Sequence, residues 1–363
     1  MGMKRISALI LSISFLLVSL IGCAFRTATA DISNVKLSQV WATVSSAYYL
    51  SNDGILYCPG VDSDGSSFVV YKERTKGVVA KEVKAFNEII GGGYYIDFEG
   101  RLFLWNEKKL PLLGYHNAGK QIMIAENVVM ARWSQYGLVY IDTDSNLYLV
   151  GNLGAEEFPI DKPKILGRNA SAVDINESFV VWSDDDGNVN TYGNTPSSSF
   201  LDLASSVKDF GYSDIQDVVL SNNYIILLAD NNLLFWGDYS SFISGEFDTN
   251  ERNIRGYVLA SNIRSVSSTP NTIAAIDQNG DVLLWGKCLT NGLENTRTPQ
   301  YEYFEGVKIA SDAISVSVSG NCLCYVSGSG VSHIYHAGGW PEFYGNSTRD
   351  ICVGIMRSPN SWN

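Results

Sequence analysis

Three histidines, two runs of aspartate and six cysteines are the side chains of this chain best suited to chemistry. His116 stands beside Tyr115, and His333 and His336 lie close together late in the chain. A general base or a metal site needs partners that converge on it. No carboxylate or cysteine spacing supplies one locally to any of the three. Asp142-Thr143-Asp144-Ser145-Asn146 opens like a calcium loop but lacks that loop's glycine and distal glutamate. Asp184-Asp185-Asp186-Gly187 is similar, and both runs fall where a tight turn is expected, a place that favours acidic residues. Cys322 and Cys324 sit two apart on a predicted strand, so they share a face and do not readily bond each other. They read as small buried hydrophobes. The pattern assigns no catalytic residue, no metal and no cofactor.

The elements that carry these residues repeat. Seven times an apolar strand runs into a tight turn, and a second apolar strand ends in a large residue. The turns fall at Gly54, Gly100, Ser145, Gly187, Asn231, Gly280 and Gly330. Five residues later come Pro59, Trp105, Val150, Tyr192, Trp236, Trp285 and Tyr335, followed by glycine at positions 60, 151, 193, 237 and 286. Asp53-Gly54, Glu99-Gly100, Asp186-Gly187 and Asn279-Gly280 suit hairpin turns that need φ > 0. Glycine after the large residue implies a positive φ or a close backbone approach. A further strand precedes each hairpin, and a fourth fits Pro163–Leu166, Gly256–Ala260 and Gly306–Ala310. The strands are nearly continuous in apolar residues, as in Tyr224–Ala229 and Val282–Trp285, so both faces are buried. Repeats of this size with several strands each mean a closed propeller or a solenoid. The expectation is an all-β, seven-bladed β-propeller of four-stranded antiparallel blades over residues 35–356. Val35–Leu37 is expected to complete the last blade, with Ile351–Met356 as the other candidate.

The copy from Ile263 to Glu294, with its Asn279-Gly280 turn, apolar strand and Trp285-Gly286, resembles a repeat of the regulator-of-chromosome-condensation-1 type. The resemblance extends over residues 37–356 and implies a seven-bladed propeller. That family's histidine before the apolar strand is missing in every copy. Its Gly-Gln-Leu-Gly loop survives only as Gly151-Asn152-Leu153-Gly154 and Asn291-Gly292-Leu293. No functional residue is carried over from it.

Residues 1–22 read as an export signal, with Lys4-Arg5 followed by an apolar run to Ile21 that is short for a membrane span. Leu20-Ile21-Gly22-Cys23 resembles a bacterial lipobox, which makes Cys23 the lipidated first residue of the mature chain. Ala28-Thr29-Ala30 is the competing site, for ordinary cleavage and secretion. Residues 23–34 then form a tether and 357–363 a tail. The predicted location is the bacterial cell envelope, with contact to membrane only through the N-terminal lipid. The formal net charge is −12, and residues 1–22 hold two of the cations. A surface this acidic is repelled by phosphate backbones, which argues against a nucleic-acid partner.

Loops on a rigid scaffold commonly carry binding. The loops after the large-residue position vary in length and hold Tyr115, Tyr239, Phe242, Trp340, Phe343 and Tyr344. These six are expected to ring one face and contact a protein partner, without catalysis. A glycan-binding module is the alternative. An enzyme acting on polysaccharide, with paired carboxylates in the central channel, is a third reading.

Overall fold

The computed structural model describes residues 35–42, 47–57, 78–89, 92–106, 121–134, 136–153, 156–194, 207, 211–221, 223–239, 242, 253–289, 301–319 and 322–337. They form seven antiparallel sheets, each built from consecutive strands, that stand as the blades of a β-propeller. Blade 1 is β1 (Leu37–Ala42), β2 (Ala47–Ser51), β3 (Leu56–Tyr57) and β4 (Val78–Ala80). Blade 2 is β5 (Val83–Ile89), β6 (Gly92–Asp97), β7 (Leu102–Asn106) and β8 (Ile122–Ala125). Blade 3 is β9 (Val128–Trp133), β10 (Gly137–Asp142) and β11 (Leu147–Leu153), with β12 (Glu156–Phe158) and β13 (Lys164–Gly167) both paired to β11. Blade 4 is β14 (Ala170–Ile175), β15 (Phe179–Asp184) and β16 (Val189–Gly193). Blade 5 is β17 (Ile215–Leu220), β18 (Tyr224–Ala229), β19 (Asn232–Asp238) and β20 (Asn253–Ser261). Blade 6 is β21 (Ile263–Thr269), β22 (Thr272–Asp277), β23 (Val282–Leu289) and β24 (Tyr301–Ala310). Blade 7 is β25 (Ala313–Ser319), β26 (Cys322–Ser327) and β27 (Ser332–Ala337). The expected fourth strands fall within β20 and β24 and on β13.

All seven indexed turn residues have positive φ, from 59° at Ser145 to 86° at Gly280. The turns are held by their acids. Asp142 Oδ1 accepts from the Asp144 and Asn146 amides at 2.9 and 2.8 Å, and Asp184 Oδ1 accepts from Asp186 and Asn188 at 3.1 and 2.8 Å. The aspartate runs are therefore turn braces. Burial raises the carboxyl pKa of both Asp142 and Asp184. Hydrogen bonds, chiefly from Asn146 and Asn188, outweigh it and hold both below the usual range. The glycine after the large residue meets both expectations at once. Gly237 has φ 128°, and a Cβ there would lie 2.3 Å from the Asn223 carbonyl oxygen.

Middle strands such as β18 are buried along their whole length. Their side chains fill separate apolar clusters between neighbouring blades. Phe179, Val181, Ile225 and Trp236 lie between blades 4 and 5, and Phe235, Ile263, Ile273 and Trp285 between blades 5 and 6. Cys324 is a fully buried thiol on β26.

One backbone bond recurs from blade to blade. The carbonyl of the turn residue accepts the first amide of the next blade's inner strand: Gly54 from Val83 (2.8 Å), Gly100 from Val128 (2.7 Å), Ser145 from Ala170 (2.9 Å), Asn231 from Ile263 (2.8 Å) and Gly280 from Ala313 (2.8 Å). Gly330 accepts from Leu37 at 3.1 Å in the same way, so blade 7 meets blade 1 by the bond that joins five of the other six pairs of neighbouring blades. This corrects the expectation for Val35–Leu37. Leu37 opens β1, which pairs with β2 through Ala42, and it shares the buried first position of all seven inner strands. Ile351–Met356 lies outside the described residues.

Candidate functional site

Successive antiparallel strands place the turns between second and third strands on one face, with the connections that enter each new blade. The opposite face carries the connections from third to fourth strands, and this is the face on which the six loop aromatics are expected. Tyr115, Trp340, Phe343, Tyr344 and the lipidation residue Cys23 lie outside the described residues. Tyr239 and Phe242 are described, and they are buried, Phe242 with no exposed surface. The Phe242 ring meets Tyr224 at 5.1 Å and Phe235 at 5.7 Å, and Tyr239 meets Phe235 at 5.2 Å. Phe242 N donates to Tyr239 O at 3.0 Å, one turn that folds both rings back over the junction of blades 5 and 6. They cap their own blade, packed on the apolar edge that β19 leaves there, and contrary to expectation are not exposed on the loop face.

The structure gathers a different set of residues at the central channel. Each inner strand is an edge of its sheet, with amides and carbonyls left over from the ladder. All seven carry a register irregularity around their second residue: Ser38, Lys84, Val129, Ser171, Gln216, Arg264 and Ile314. The third and fifth residues then reach toward neighbouring edges. From blade 7, Ser315 Oγ accepts the Val40 amide of blade 1 at 3.2 Å, and Ser317 Oγ accepts that of Ala42 at 2.9 Å. From blade 6, Ser267 Oγ accepts the Val318 amide at 3.1 Å. From blade 4, Asp174 Oδ2 accepts the Leu220 amide of blade 5 at 2.7 Å.

Blade 3 has Arg132 at that fifth position, which has nothing to accept with. Asp174 compensates in its own strand, where Oδ1 takes the Ile175 amide at 2.9 Å. Asp217 does the same for Val218 at 2.9 Å, opposite Ala172, which has no oxygen on its side chain. Arg132 Nη2 donates to Asp217 Oδ1 at 3.1 Å, and Nη1 to its neighbour's carbonyl, Ala131 O, at 3.2 Å. Tyr94 of blade 2 donates to that same carbonyl at 2.6 Å. Burial raises the Asp174 carboxyl, against the pull of Arg132 and its two amides, to about 6. Burial opposes the Arg132 charge, but Asp217 and Asp174 outweigh it and hold the guanidinium above its ordinary value.

Asp174 and Asp217 are two channel carboxylates of the sort the enzymatic reading asks for. Asp174 has both oxygens, and Asp217 has Oδ1, bonded to amides or to Arg132, so they serve as joints between blades 3, 4 and 5. Sequence reasoning missed all three. The available signal was a charged residue at the third or fifth place of an apolar inner strand in three consecutive repeats. His333, one of the sequence's histidines, is stacked on Tyr325 with ring centroids 4.7 Å apart.

No protein-family model and no curated protein matches the sequence. Among solved structures, the chain is similar to yeast RCC1 (Prp20) bound to Kap60, at 15% identity and a TM-score of 0.55, covering 89% of this chain and 85% of that one. It is also similar to Prp20p from Saccharomyces cerevisiae in a second structure, at 15% identity and a TM-score of 0.53, with 89% and 87% covered. Human WBSCR16 gives 14% identity and a TM-score of 0.55 over 81% of this chain and 88% of that one. Together with seven blades and their repeated junctions, these likenesses show that the chain has the RCC1-type seven-bladed β-propeller fold.

Proposed function

We propose that this protein is an exported, non-catalytic ring that binds a protein partner through its loop face and is held at a bacterial cell envelope by lipid on Cys23. The observation that carries the reading is the contrast between the two faces. On the turn face one hydrogen-bond scheme repeats from blade to blade. On the loop face the connections between third and fourth strands differ in length and content, as in 107–121, 239–252 and 290–300. A uniform frame with divergent loops on one side is the arrangement of a recognition surface. Yeast RCC1, of the same fold, is seen bound to Kap60, and its second structure was reported with binding to Gsp1p and histones. This supports a protein as the class of partner.

With Tyr239 and Phe242 buried, the contact falls to Tyr115, Trp340, Phe343 and Tyr344. Trp340→Ala combined with Tyr344→Ala is expected to abolish capture of a partner that the intact chain enriches from envelope extract, with an unchanged melting temperature. Undiminished capture would remove the loop face from the proposal. Capture of glycan without protein would favour the carbohydrate alternative. Cys23→Ser is expected to eliminate labelling by radioactive palmitate; labelling of the variant would remove the lipid anchor.

A further inference from the structure

The outer wall between blades 3 and 4 shows how this ring holds a cation. Lys164 on β13 pairs with Leu149, the residue before the large residue of blade 3, and so points toward blade 4. Its Nζ stands 4.3 Å from the Tyr192 ring centroid and 4.8 Å from that of Phe158. It donates to Tyr192 Oη at 2.6 Å and to Glu156 Oε2 at 3.0 Å. Two rings and one carboxylate thus surround one amine, an arrangement that cation–π attraction favours.

Between blades 5 and 6 similar groups meet, with a different residue in the lysine's place. Tyr257 on β20 pairs with Phe235, again the residue before the large one, and points toward blade 6. On β24, Phe304 packs into the cluster between blades 6 and 7, so Tyr303 and Glu305 on either side of it point toward blade 5. The buried Tyr239 ring forms the floor, its centroid 6.3 Å from that of Tyr257 and the two planes at 58°. Burial first, then the Glu305 carboxylate and Tyr257, raise the Tyr239 hydroxyl to about 12, which places both groups beside it. The rim is open. Tyr257 is 49% exposed and Tyr303 38%, and Glu305 is exposed as well. Glu305 forms no ion pair among the described residues, and the nearby Lys308 is held by Asp281 at 2.6 Å.

The chemistry of this groove selects its occupant. An apolar partner would cover Glu305 without a counter-charge, and an acidic one would be repelled by it. A cation satisfies the carboxylate and the ring faces together. Arginine suits them better than lysine, because its flat guanidinium stacks on a ring and meets a carboxylate with two parallel N–H groups. We propose that the groove between the outer strands of blades 5 and 6 receives an arginine side chain of a protein partner, with Tyr257 and Tyr303 against the guanidinium and Glu305 as its counter-charge. The proposal rests on the proposed function only in making a protein partner the owner of that arginine. β20 and β24 follow the loop-face connections 239–252 and 290–300, so the groove borders the proposed contact surface.

The test uses the peptide acetyl-Gly-Arg-Gly-amide as probe, with citrulline in place of arginine as the uncharged control. Each is titrated into the full chain carrying isotope-labelled tyrosine. The arginine peptide is expected to shift the ring signals of Tyr257 and Tyr303, identified by their loss in Tyr257→Phe and Tyr303→Phe, and the citrulline peptide to shift neither. Glu305→Gln and Tyr257→Leu, both at exposed positions, should each weaken binding by about 5-fold. No shift in the intact chain, equal binding of the two peptides, or indifference to both substitutions would overturn the proposal. Lys287 is the cross-strand partner of Tyr303. Binding that appears only in Lys287→Ala would assign the groove to the chain's own lysine and also overturn it. Trp340→Ala with Tyr344→Ala should leave peptide binding unchanged, so failure of the loop-face reading and failure of this site are separately visible. Where a partner is captured, Glu305→Gln should lower its recovery, and undiminished recovery would overturn the assignment of the arginine to that partner.

Discussion

The central channel does one job in two ways. From blade 6 round to blade 1, the spare edge amides of Val318, Val40 and Ala42 are met by the hydroxyls of Ser267, Ser315 and Ser317. Through blades 3 to 5, the amides of Ile175, Val218 and Leu220 are met by the carboxylates of Asp174 and Asp217, with Arg132 as counter-charge. The neutral half solves the edge-strand problem blade by blade. The charged half begins where Arg132 and Ala172 offer no acceptor, so the acid of each following strand must cap its own backbone. A carboxylate can serve two amides at once, as Asp174 does, but it brings a charge that a partly buried site must neutralise. The two halves should therefore differ in their response to pH and to loss of a single side chain.

The largest effect is expected at Arg132. Arg132→Leu leaves Asp174 and Asp217 together without the guanidinium, and breaking a partly buried pair in this way costs about 2–4 kcal/mol. Urea unfolding at pH 8 would measure it. The variant should recover much of the loss when Asp174→Asn is added, because the residual charge is then single. A cost below about 0.5 kcal/mol, within the range of an exposed ion pair, would erase the distinction between the two halves.

Asp174 sharpens the comparison through its titration. Its carboxyl is raised in the folded protein, from the ordinary 3.8 to about 6. The folded state therefore binds this proton more tightly than the unfolded chain does. The stabilisation this provides is full below about pH 4 and is lost as pH climbs through 6. Asp174→Asn keeps one acceptor oxygen and has no charge to lose, but its NH2 leaves either the Ile175 or the Leu220 amide without an acceptor, at a cost of about 1 kcal/mol at every pH. Its stability relative to the wild type should therefore rise by about 1–2 kcal/mol between pH 4 and pH 8. Each tenfold gain in proton affinity is worth about 1.4 kcal/mol, and solvent that reaches the channel screens part of that. A stability difference that does not vary with pH would refute the assignment of Asp174 as the titrating member.

The two systems also differ in how far the sequence discloses them. The turn face was legible because each requirement is local. Positive φ at Gly54, Ser145 or Asn231 is a property of the residue and its immediate neighbours, and it recurs in register seven times. The glycine after the large residue is legible for the same reason. The channel was not, because the need for an oxygen at position 317 is set by the edge amide of Ala42, nearly the whole chain away. Ser315 and Ser317 look like the outward positions of any strand, and Asp174 and Asp217 look like isolated polar residues. Tyr239 and Phe242 misled in the opposite sense. They follow the large-residue position, where exposed loops begin, yet one turn of backbone folds them onto blade 5. The neighbouring rings Tyr224 and Phe235 decide that, and they lie in strands already assigned to the core.

The smallest effect is the one that compares the neutral half with itself. Ser317→Ala removes the acceptor for the buried Ala42 amide where blade 7 meets blade 1, and Ser267→Ala does the same for Val318 between blades 6 and 7. A buried amide deprived of its partner costs about 1 kcal/mol or somewhat more. Both variants should lose this amount, equally at pH 5 and pH 8, because neither site titrates. The two junctions share the same backbone bond, Leu37 to Gly330 in one and Ala313 to Gly280 in the other. If the ring closes on itself by the rule that joins blade 6 to blade 7, the two losses must agree to within about 0.5 kcal/mol. A markedly larger loss for Ser317→Ala would mean that the closing junction leans on its serines for support that the other junctions draw from elsewhere.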